Sequence, residues 1–280
     1  MTKARLIQNM SNADYHASKA VSSTHLKTIA SKSLAHYIHN LNNPTTQTDA
    51  LAFGAAYHKI ILEPETFEKE FFLIDDRQRP EPDKDYRTAK NRAWKQEQIA
   101  VNAGKTMISS WDYNVLKKMQ EVIFNNLFTN DLIKSCTEIE SSIFSEINGV
   151  EVRVRPDGFN DKIIIDLKST DDCSPDGFAR SSASYFYHLQ AAFYSDVVQH
   201  IDDKPRQFVI IAQEKTAPYV AQIYVLPEYV IMQGRHEYKA ALEKLKNAYE
   251  TGEFPAYESK EKGGIRDLSL PNWAMREVQA

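Results

Sequence analysis

Hydrophobic and polar residues follow two different periods along this chain. From residue 1 to about 130, apolar residues recur mainly at the three- and four-residue spacing of helices. A helix is predicted after Ser22, whose side chain suits an N-cap, and another over 51–62, ending before Pro64. A third is predicted over 111–128. In the second helix, we expect Leu51, Ala55, His58, Ile61 and Leu62 to share one side.

The period changes to two near residue 139, which predicts antiparallel strands. Apolar and polar residues alternate from Ile139 to Ile147 and again from Val150 to Val154. Between them lies Asn148-Gly149, a strong hairpin signal because both turn residues tolerate positive φ. A β-hairpin is therefore predicted here, with Pro156 stopping its second strand.

The rest of the chain mixes strands and helices. A buried strand is predicted over 162–167, and the aspartate at position 166 is expected at its end. A helix over 182–199, strands over 206–212 and 221–225, and a closing helix over 227–250 follow. The order predicts a mixed α/β layer fold. We expect one domain over 1–280, with a mainly helical region (1–130), a sheet core (138–226), and a C-terminal helix and tail (227–280).

Composition narrows the class of protein. The 280 residues are 42% hydrophobic, and 34 Lys and Arg face 38 Asp and Glu, for a net charge of −4. This is globular composition, and no apolar run approaches a membrane span. Two cysteines exclude a disulfide scaffold and a four-cysteine metal site within one chain. Because no apolar leader is visible, we expect a cytoplasmic protein without membrane contact.

One local stretch has the opposite charge to the chain as a whole. Residues 77–95 contain seven basic and three acidic residues, a local charge of +4. Arg87, Lys90 and Arg92 lie in it, and Arg153 and Arg155 lie on the predicted hairpin. These five could contact DNA phosphates. The alternative is that both groups are ordinary solvated surface.

Two acids and a lysine near the Ile-rich strand are the strongest candidates for chemistry. Asp157 follows the hairpin, and Asp166 and Lys168 share one face of the strand because they are two residues apart. Carboxylates on neighbouring strands form a hard oxygen site suited to Mg²⁺ or Mn²⁺. Lys168 could hold or deprotonate an attacking water, or neutralise charge in the transition state.

Each of these signals also has an ordinary structural interpretation. Asp166 and Lys168 alone could be a strand-end ion pair. His58 could be a core histidine, and Gln190 and Tyr194 could be part of a helix surface. Glu140 is one of four acids between 138 and 151, so Glu138 remains an alternative to it.

Taken together, the motifs resemble a known nuclease superfamily. Pro156-Asp157 with Asp166-Leu167-Lys168 resembles the PD-(D/E)xK signature. Gln190 and Tyr194 resemble the Q-x-x-x-Y motif of its RecB-like branch. Gly54 and His58 resemble the G-x-x-x-H helix of that branch, and Glu140 occupies the place of its extra acid. Segments 15–27, 53–71 and 268–274 further resemble the catalytic domain of RecE-type exonucleases (exonuclease VIII).

The resemblance implies a restriction-endonuclease-like core and roles for individual residues. His58, Asp157, Asp166 and the backbone carbonyl of Leu167 would bind the metal, Mg²⁺ with Mn²⁺ as a substitute. Lys168 would serve the attacking water, and Glu140 would help hold metal or orient a metal-bound water. Gln190 and Tyr194 would support the site and contact the DNA end.

The resemblance also implies an activity and partners. It implies a Mg²⁺-dependent exonuclease that degrades double-stranded DNA from its ends, 5′ to 3′, leaving a 3′ single-stranded tail. A ring-shaped homotetramer and a single-strand annealing protein as recombination partner are implied as well. Two alternatives stay open: an inactive DNA-end-binding protein of the same fold, and a nuclease that prefers single strands or particular DNA structures.

Overall fold

Helices cover both faces of a central sheet in the computed structural model, which describes residues 4–44, 48–257 and 267–270. The α-helices are α1 (Asn12–Ala17), α2 (Ser23–Ser31), α3 (Leu34–Asn42), α4 (Asp49–Leu62), α5 (Phe67–Glu70), α6 (Ala89–Val101), α7 (Ser110–Asn125), α8 (Leu127–Ser135), α9 (Pro175–Ser184), α10 (Tyr187–Gln199) and α11 (Glu228–Thr251). The strands are β1 (Arg5–Ile7), β2 (Phe71–Ile74), β3 (Thr106–Ser109), β4 (Glu138–Ile139), β5 (Ser142–Ile147), β6 (Val150–Val154), β7 (Gly158–Phe159), β8 (Ile163–Thr170), β9 (Gln207–Glu214) and β10 (Ala221–Val225). The predicted mixed α/β layer fold is confirmed.

The strands form three sheets within the described residues. The central sheet has the order β10-β9-β8-β7-β4, with β8 and β9 parallel and the other neighbours antiparallel. The predicted hairpin is confirmed as β5 and β6, which form an antiparallel sheet with β1. Asn148 and Gly149 have φ of 52° and 82°, as the two-residue turn requires. β2 and β3 form a separate parallel pair.

Alternate residues of β8 pack into two hydrophobic cores. Ile164 contributes to the core that includes α2, α10 and α11, whereas Ile165 and Leu167 contribute to the core that includes α4 and α7. This alternation is the period of two expected for a strand covered on both faces. Asp166 and Lys168 share the face of Ile164, so both point toward the α10 side.

A close approach between α10 and α11 holds the first of these cores together. A Cβ at Gly234 of α11 would lie 2.0 Å from the backbone carbonyl oxygen of His188 on α10. Only glycine lets the two helices approach this closely. The contact fixes the helix that carries Gln190 and Tyr194.

The predicted strand over 139–147 is wrong in one respect, because it is two strands in two different sheets. β4 pairs with β7 and β5 pairs with β6, and the chain turns between them at Glu140, whose φ is 46°. A left-handed conformation is unusual for glutamate and breaks the alternation there. The prediction for Asp166 is also corrected, because β8 continues to Thr170 and buries Asp166 in mid-strand.

Helix boundaries show similar differences. The helix predicted over 111–128 ends at Asn125, and Leu127 begins α8 with 73% of its surface exposed. The helix predicted over 182–199 is broken before α10 at Phe186, whose φ is 54°. In α4 the buried face consists of Ala52, Ala56, Tyr57, Ile60 and Ile61, so the predicted face is wrong.

The N-terminal region is mainly helical, as predicted, but also contains β1, β2 and β3. Among the described residues, no helix combines the length and apolar character needed to cross a membrane. Residues 271–274, within the segment used for the exonuclease resemblance, lie outside the described residues.

Candidate active site

The register of the central sheet aligns three acidic residues. Ile139 of β4 faces Gly158 of β7, and Gly158 faces Ile165 of β8. At the next position of this register, Glu140 lies beside Asp157, and Asp157 lies beside Asp166. The backbone N–H of Glu140 donates to the Asp157 carbonyl oxygen at 3.2 Å, which holds this alignment beyond the paired strands.

Helix α4 adds His58 to the first two acids. Thr48 caps the start of α4 by accepting a hydrogen bond from the Leu51 N–H, and the helix then packs against the core. His58 Nδ1 lies 3.1 Å from Asp157 Oδ1 and 4.0 Å from Glu140 Oε1. Ligand atoms of His58, Glu140 and Asp157 all lie within 4.8 Å of one another. These distances select Glu140 over Glu138, whose carboxylate instead accepts hydrogen bonds from Gln8 and Ser141.

The two carboxylates of this group lie close together and are largely buried, which shifts the pKa values of Glu140 and His58. Burial and the neighbouring Asp157 raise the pKa of Glu140 to about 8. Burial alone would lower the pKa of His58, but the Asp157 and Glu140 carboxylates raise it to about 9. Without a cation, protons on His58 and Glu140 therefore balance the negative charge near neutral pH.

Asp166 and Lys168 form the other half of the site. One Asp166 oxygen accepts from Lys168 Nζ, and the other accepts from Gln190 Nε2 at 2.9 Å. Burial alone would lower the pKa of Lys168, but Asp166 and Asp157 raise it above its usual value. Lys168 is therefore charged, which favours a charge-neutralising role over that of a general base.

Two residues of this half were missed by sequence reasoning. Lys27 of α2 donates to Gln190 Oε1 at 2.6 Å, and its Nζ lies 5.2 Å from the centre of the Tyr187 ring. Lys168 Nζ lies at the same distance from that ring. Lys27 ends segment 15–27, which resembles the RecE-type catalytic domain, but neither Lys27 nor Tyr187 was assigned a role in the site, and only the folded chain brings them to Gln190 and Lys168.

Asp157 connects the two halves through the backbone. Its Oδ2 accepts from the N–H of Leu167, between Asp166 and Lys168. The Leu167 side chain is buried in the core on the α4 side of the sheet. Metal binding by its carbonyl oxygen stays a prediction.

Tyr194 is largely buried. It is only 8% exposed, and burial raises the pKa of its hydroxyl well above the usual value. Little of its ring is available to a DNA end in this structure, and both its support of the site and its contact with the DNA end stay predictions.

The two hairpin arginines have different surroundings. Arg153 is 3% exposed, donates to the carbonyl oxygens of Tyr15 and Ser18, and stacks over the Tyr15 ring. This burial differs from both interpretations of Arg153, a DNA-phosphate contact and an ordinary solvated surface position, because helix α1 and the residue after it use its guanidinium. Arg155 is half-buried and donates to Ser142 and Asn12, and its guanidinium carbon lies 4.2 Å from the centre of the Tyr15 ring.

A groove of about 840 Å³ opens beside the acidic half of the site. His58, Glu140 and Arg155 lie along it, together with His16, Lys59 and Lys69. Lys59 is paired with Glu63 and Glu70 at 2.7 and 2.6 Å. The groove runs along the acidic half of the site, with Lys59 of α4 and Lys69 of α5 among its lining residues.

The basic stretch at the start of α6 is solvent-exposed. Arg87, Lys90 and Arg92 are all exposed, although Arg87 is paired with Asp85 at 2.6 Å. Arg92 donates to the carbonyl oxygen of Arg87 at 2.8 Å. Their role in DNA binding stays a prediction.

The donor set suits a hard divalent cation. One imidazole nitrogen and two carboxylates converge within 4.8 Å, and Asp166 stands next to them in the register. Oxygen-rich sets of this kind bind Mg²⁺ or Mn²⁺. Burial, and after it the neighbouring Asp157, raise the pKa of Glu140 and disfavour its charged form, which a bound cation would stabilise.

Comparison with solved structures identifies a similar fold. The structure is similar to one from Eubacterium rectale, described as a candidate exonuclease, with a TM-score of 0.64 and 13% identity over 94% of this chain and 96% of that one. At this identity the likeness shows the fold. A second structure, SSO0001, is 17% identical over 66% of this chain and 84% of that one, but its TM-score is only 0.27. No curated protein matches the chain significantly.

Most of the sequence also matches the model of a protein family. Residues 22–262 match the model of a PDDEXK-like domain of unknown function, DUF3799. The matched region includes His58, Asp157, Asp166, Lys168 and Gln190. The chain therefore belongs to the DUF3799 family of PDDEXK-like domains and has the restriction-endonuclease-like core predicted for it.

Proposed function

We propose that this protein is a Mg²⁺-dependent exonuclease that degrades linear double-stranded DNA from its ends. The observation that carries the proposal is the convergence of His58, Glu140 and Asp157 beside the Asp166–Lys168 pair, at the wall of an open groove. Membership of a PDDEXK-like family supports nuclease chemistry at this position.

His58, Asp157 and Asp166, with the carbonyl oxygen of Leu167, would hold Mg²⁺, and Mn²⁺ would substitute for it. Glu140 would complete the site or orient a water bound there. When bound, the ion would polarise the scissile phosphate and lower the pKa of the attacking water. Glu140 and His58 must release their protons for this role, because only their deprotonated forms are good ligands.

Lys168 and Arg155 would act on the phosphate, whereas Gln190 would act on Asp166. Lys168 carries a charged ammonium at the site, which neutralises negative charge as it develops on the phosphate. Gln190 holds Asp166 from the opposite side, so the carboxylate keeps a fixed orientation. Arg155 lies along the groove and offers a cation to a neighbouring phosphate.

The finer features rest on the resemblance to RecE-type exonucleases. They are 5′ to 3′ polarity, a 3′ single-stranded product for recombination, a homotetrameric ring and a single-strand annealing partner. A single nuclease domain spanning the chain and a cytoplasmic location complete the proposal. Arg87, Lys90 and Arg92 would supply part of the DNA affinity.

The test is digestion of a linear duplex labelled separately at each 5′ and 3′ end, with and without Mg²⁺. A covalently closed circle and a single strand of the same sequence serve as matched substrates. The proposal expects Mg²⁺-dependent release of nucleotides from 5′ ends and an intact circle. Cutting of the circle or preference for the single strand would favour a different nuclease. Mg²⁺-independent binding to ends without turnover would indicate a DNA-end-binding protein instead.

A further inference from the structure

Lys27 contacts the active site from α2, a helix on which the sequence predicted no site residue. It lies on α2, 163 residues before Gln190 in the chain, and its Nζ donates to Gln190 Oε1 at 2.6 Å. The same ammonium lies against the ring of Tyr187, which also contacts Lys168. Lys27 is half-buried, so the contact is sheltered from water.

An ammonium group restricts how the Gln190 amide can be oriented. In its charged form, Lys27 has donors and no acceptor, so Gln190 turns its carbonyl oxygen toward the ammonium. Its NH₂ group then faces Asp166 and donates to Oδ1 at 2.9 Å. The reverse orientation would place the amide NH₂ against the ammonium and its oxygen against the Asp166 carboxylate. Both contacts would be repulsive.

The position of Lys27 has an electrostatic cost that packing alone does not require. Burial and the nearby Lys168 lower the pKa of Lys27 to about 7. Packing between α2 and its neighbours already rests on the buried side chains of Leu26 and Ile29. A second buried lysine beside Lys168 is therefore better explained by the site than by the helix contact.

We propose that Lys27 is a positioning residue, which fixes the Gln190 amide so that Gln190 orients Asp166 next to Lys168. Its effect on the reaction passes through Gln190 and not through direct contact with DNA. This inference rests on the proposed nuclease function, although the contact between Lys27 and Gln190 can be tested without it.

The first experiment uses the side-chain amide of Gln190 as a reporter. Protein labelled with ¹⁵N-glutamine gives an NH₂ signal that is assigned by its loss in Gln190→Ala. Lys27→Met keeps the length of the side chain and removes its donors, and we expect it to shift this signal and speed its hydrogen exchange at least threefold. Lys32→Met, at the exposed end of the same helix, is the matched control and should leave the signal unchanged. A signal unaffected by Lys27→Met would overturn the proposal, whether or not the protein cleaves DNA.

The second experiment is a double-mutant cycle in single-turnover DNA cleavage at saturating Mg²⁺. We expect Lys27→Met and Gln190→Ala each to lower the maximal rate at least tenfold, with little change in the DNA concentration needed for half-maximal rate. The double variant should be no slower than the slower single variant, because both substitutions interrupt the same series of contacts from Lys27 through Gln190 to Asp166. Effects that multiply, or a loss confined to DNA affinity, would show that Lys27 acts independently of Gln190 and would overturn the proposal. Thermal midpoints check that each variant is folded, and an inactive wild-type protein would reject the nuclease function while leaving the amide experiment valid.

Discussion

Helix α10 takes part in two polar clusters, one near each of its ends. Near its start, Gln190 contacts Asp166 and Lys27 in the active site. Near its end, Asp196 accepts from Arg235 of α11 through both of its oxygens, at 2.8 to 3.1 Å. The Tyr238 hydroxyl donates to the same carboxylate.

The two clusters differ in how their charge is balanced. Hydrogen bonds from Arg235 to Asp196 raise the pKa of Arg235, so its charged form is favoured by its surroundings. In the active site the charged form of Glu140 is disfavoured, because burial and Asp157 raise its pKa to about 8. The Asp196 cluster thus satisfies its own members, whereas the acidic half of the active site contains a buried carboxyl group whose charged form an added cation would stabilise.

Because of this difference, we expect substitutions in the active site to lower activity and substitutions in the Asp196 cluster to lower stability. The largest effect is expected for Lys168→Met in single-turnover DNA cleavage. Removing a charge aimed at the developing transition state lowers such rates by about 10²-fold or more. DNA binding in Mg²⁺ should be retained, because the metal ligands remain. Normal cleavage by this variant would show that Lys168 is structural.

Arg235→Met should lower the stability of the protein and leave its cleavage rate unchanged. It leaves the Asp196 carboxylate partly buried with Tyr238 as its remaining donor, which we expect to cost about 1–3 kcal/mol in the free energy of unfolding. Urea unfolding measures this loss, and the cleavage rate per folded molecule should not change. Lys239→Met, on an exposed position of the same helix, is the control and should leave stability within about 0.5 kcal/mol. An equal cost in both variants would contradict a stabilising role for the cluster.

Glu140→Gln should stabilise the metal-free protein in a pH-dependent way. The folded state keeps a proton on Glu140 up to about pH 8, whereas the unfolded state releases it near its ordinary pKa of 4.5. Wild-type protein therefore loses stability between these values as the pH rises, and the glutamine variant does not share this loss. In EDTA, the thermal midpoint of Glu140→Gln relative to wild type should increase from pH 5 to pH 8. If the difference in thermal midpoint between the two proteins is the same at every pH, the pKa of Glu140 is not raised by burial and Asp157.

The smallest effect is expected outside both clusters. Replacing Arg87, Lys90 and Arg92 together by glutamine should reduce the salt dependence of DNA binding by up to about three released counterions. Glutamine at the α11 lysines Lys239, Lys244 and Lys246 makes the same change in net charge on another element. If the two triple variants have the same slope, the stretch at the start of α6 does not contact DNA.

Sequence reasoning succeeded where a local pattern determines the structure. The hairpin around Asn148-Gly149 was predictable because its turn needs residues that tolerate positive φ. The spacing of Asp157, Asp166 and Lys168 likewise brings these residues together through the pairing of β7 with β8.

Features that depend on distant parts of the chain were not predictable. Glu140 and Phe186 adopt positive φ without a glycine to signal the break. Arg153 is buried because helix α1 and Ser18, more than 130 residues away, supply its acceptors. Lys27 reaches Gln190 across a comparable separation. Neither the local hydrophobic period nor the sequence motifs indicate such contacts.

The central claim is that the unbalanced acids of the active site bind a divalent cation. The most direct test is calorimetric titration of the protein with Mn²⁺ in the absence of DNA. We predict that wild type and Asp196→Asn bind Mn²⁺ with the same affinity, and that Asp157→Asn loses this binding, because Asp157 is central to the His58–Glu140–Asp157 group. Thermal unfolding in EDTA confirms that each variant is folded. Unchanged Mn²⁺ affinity in folded Asp157→Asn would contradict the assignment of this group as the metal site.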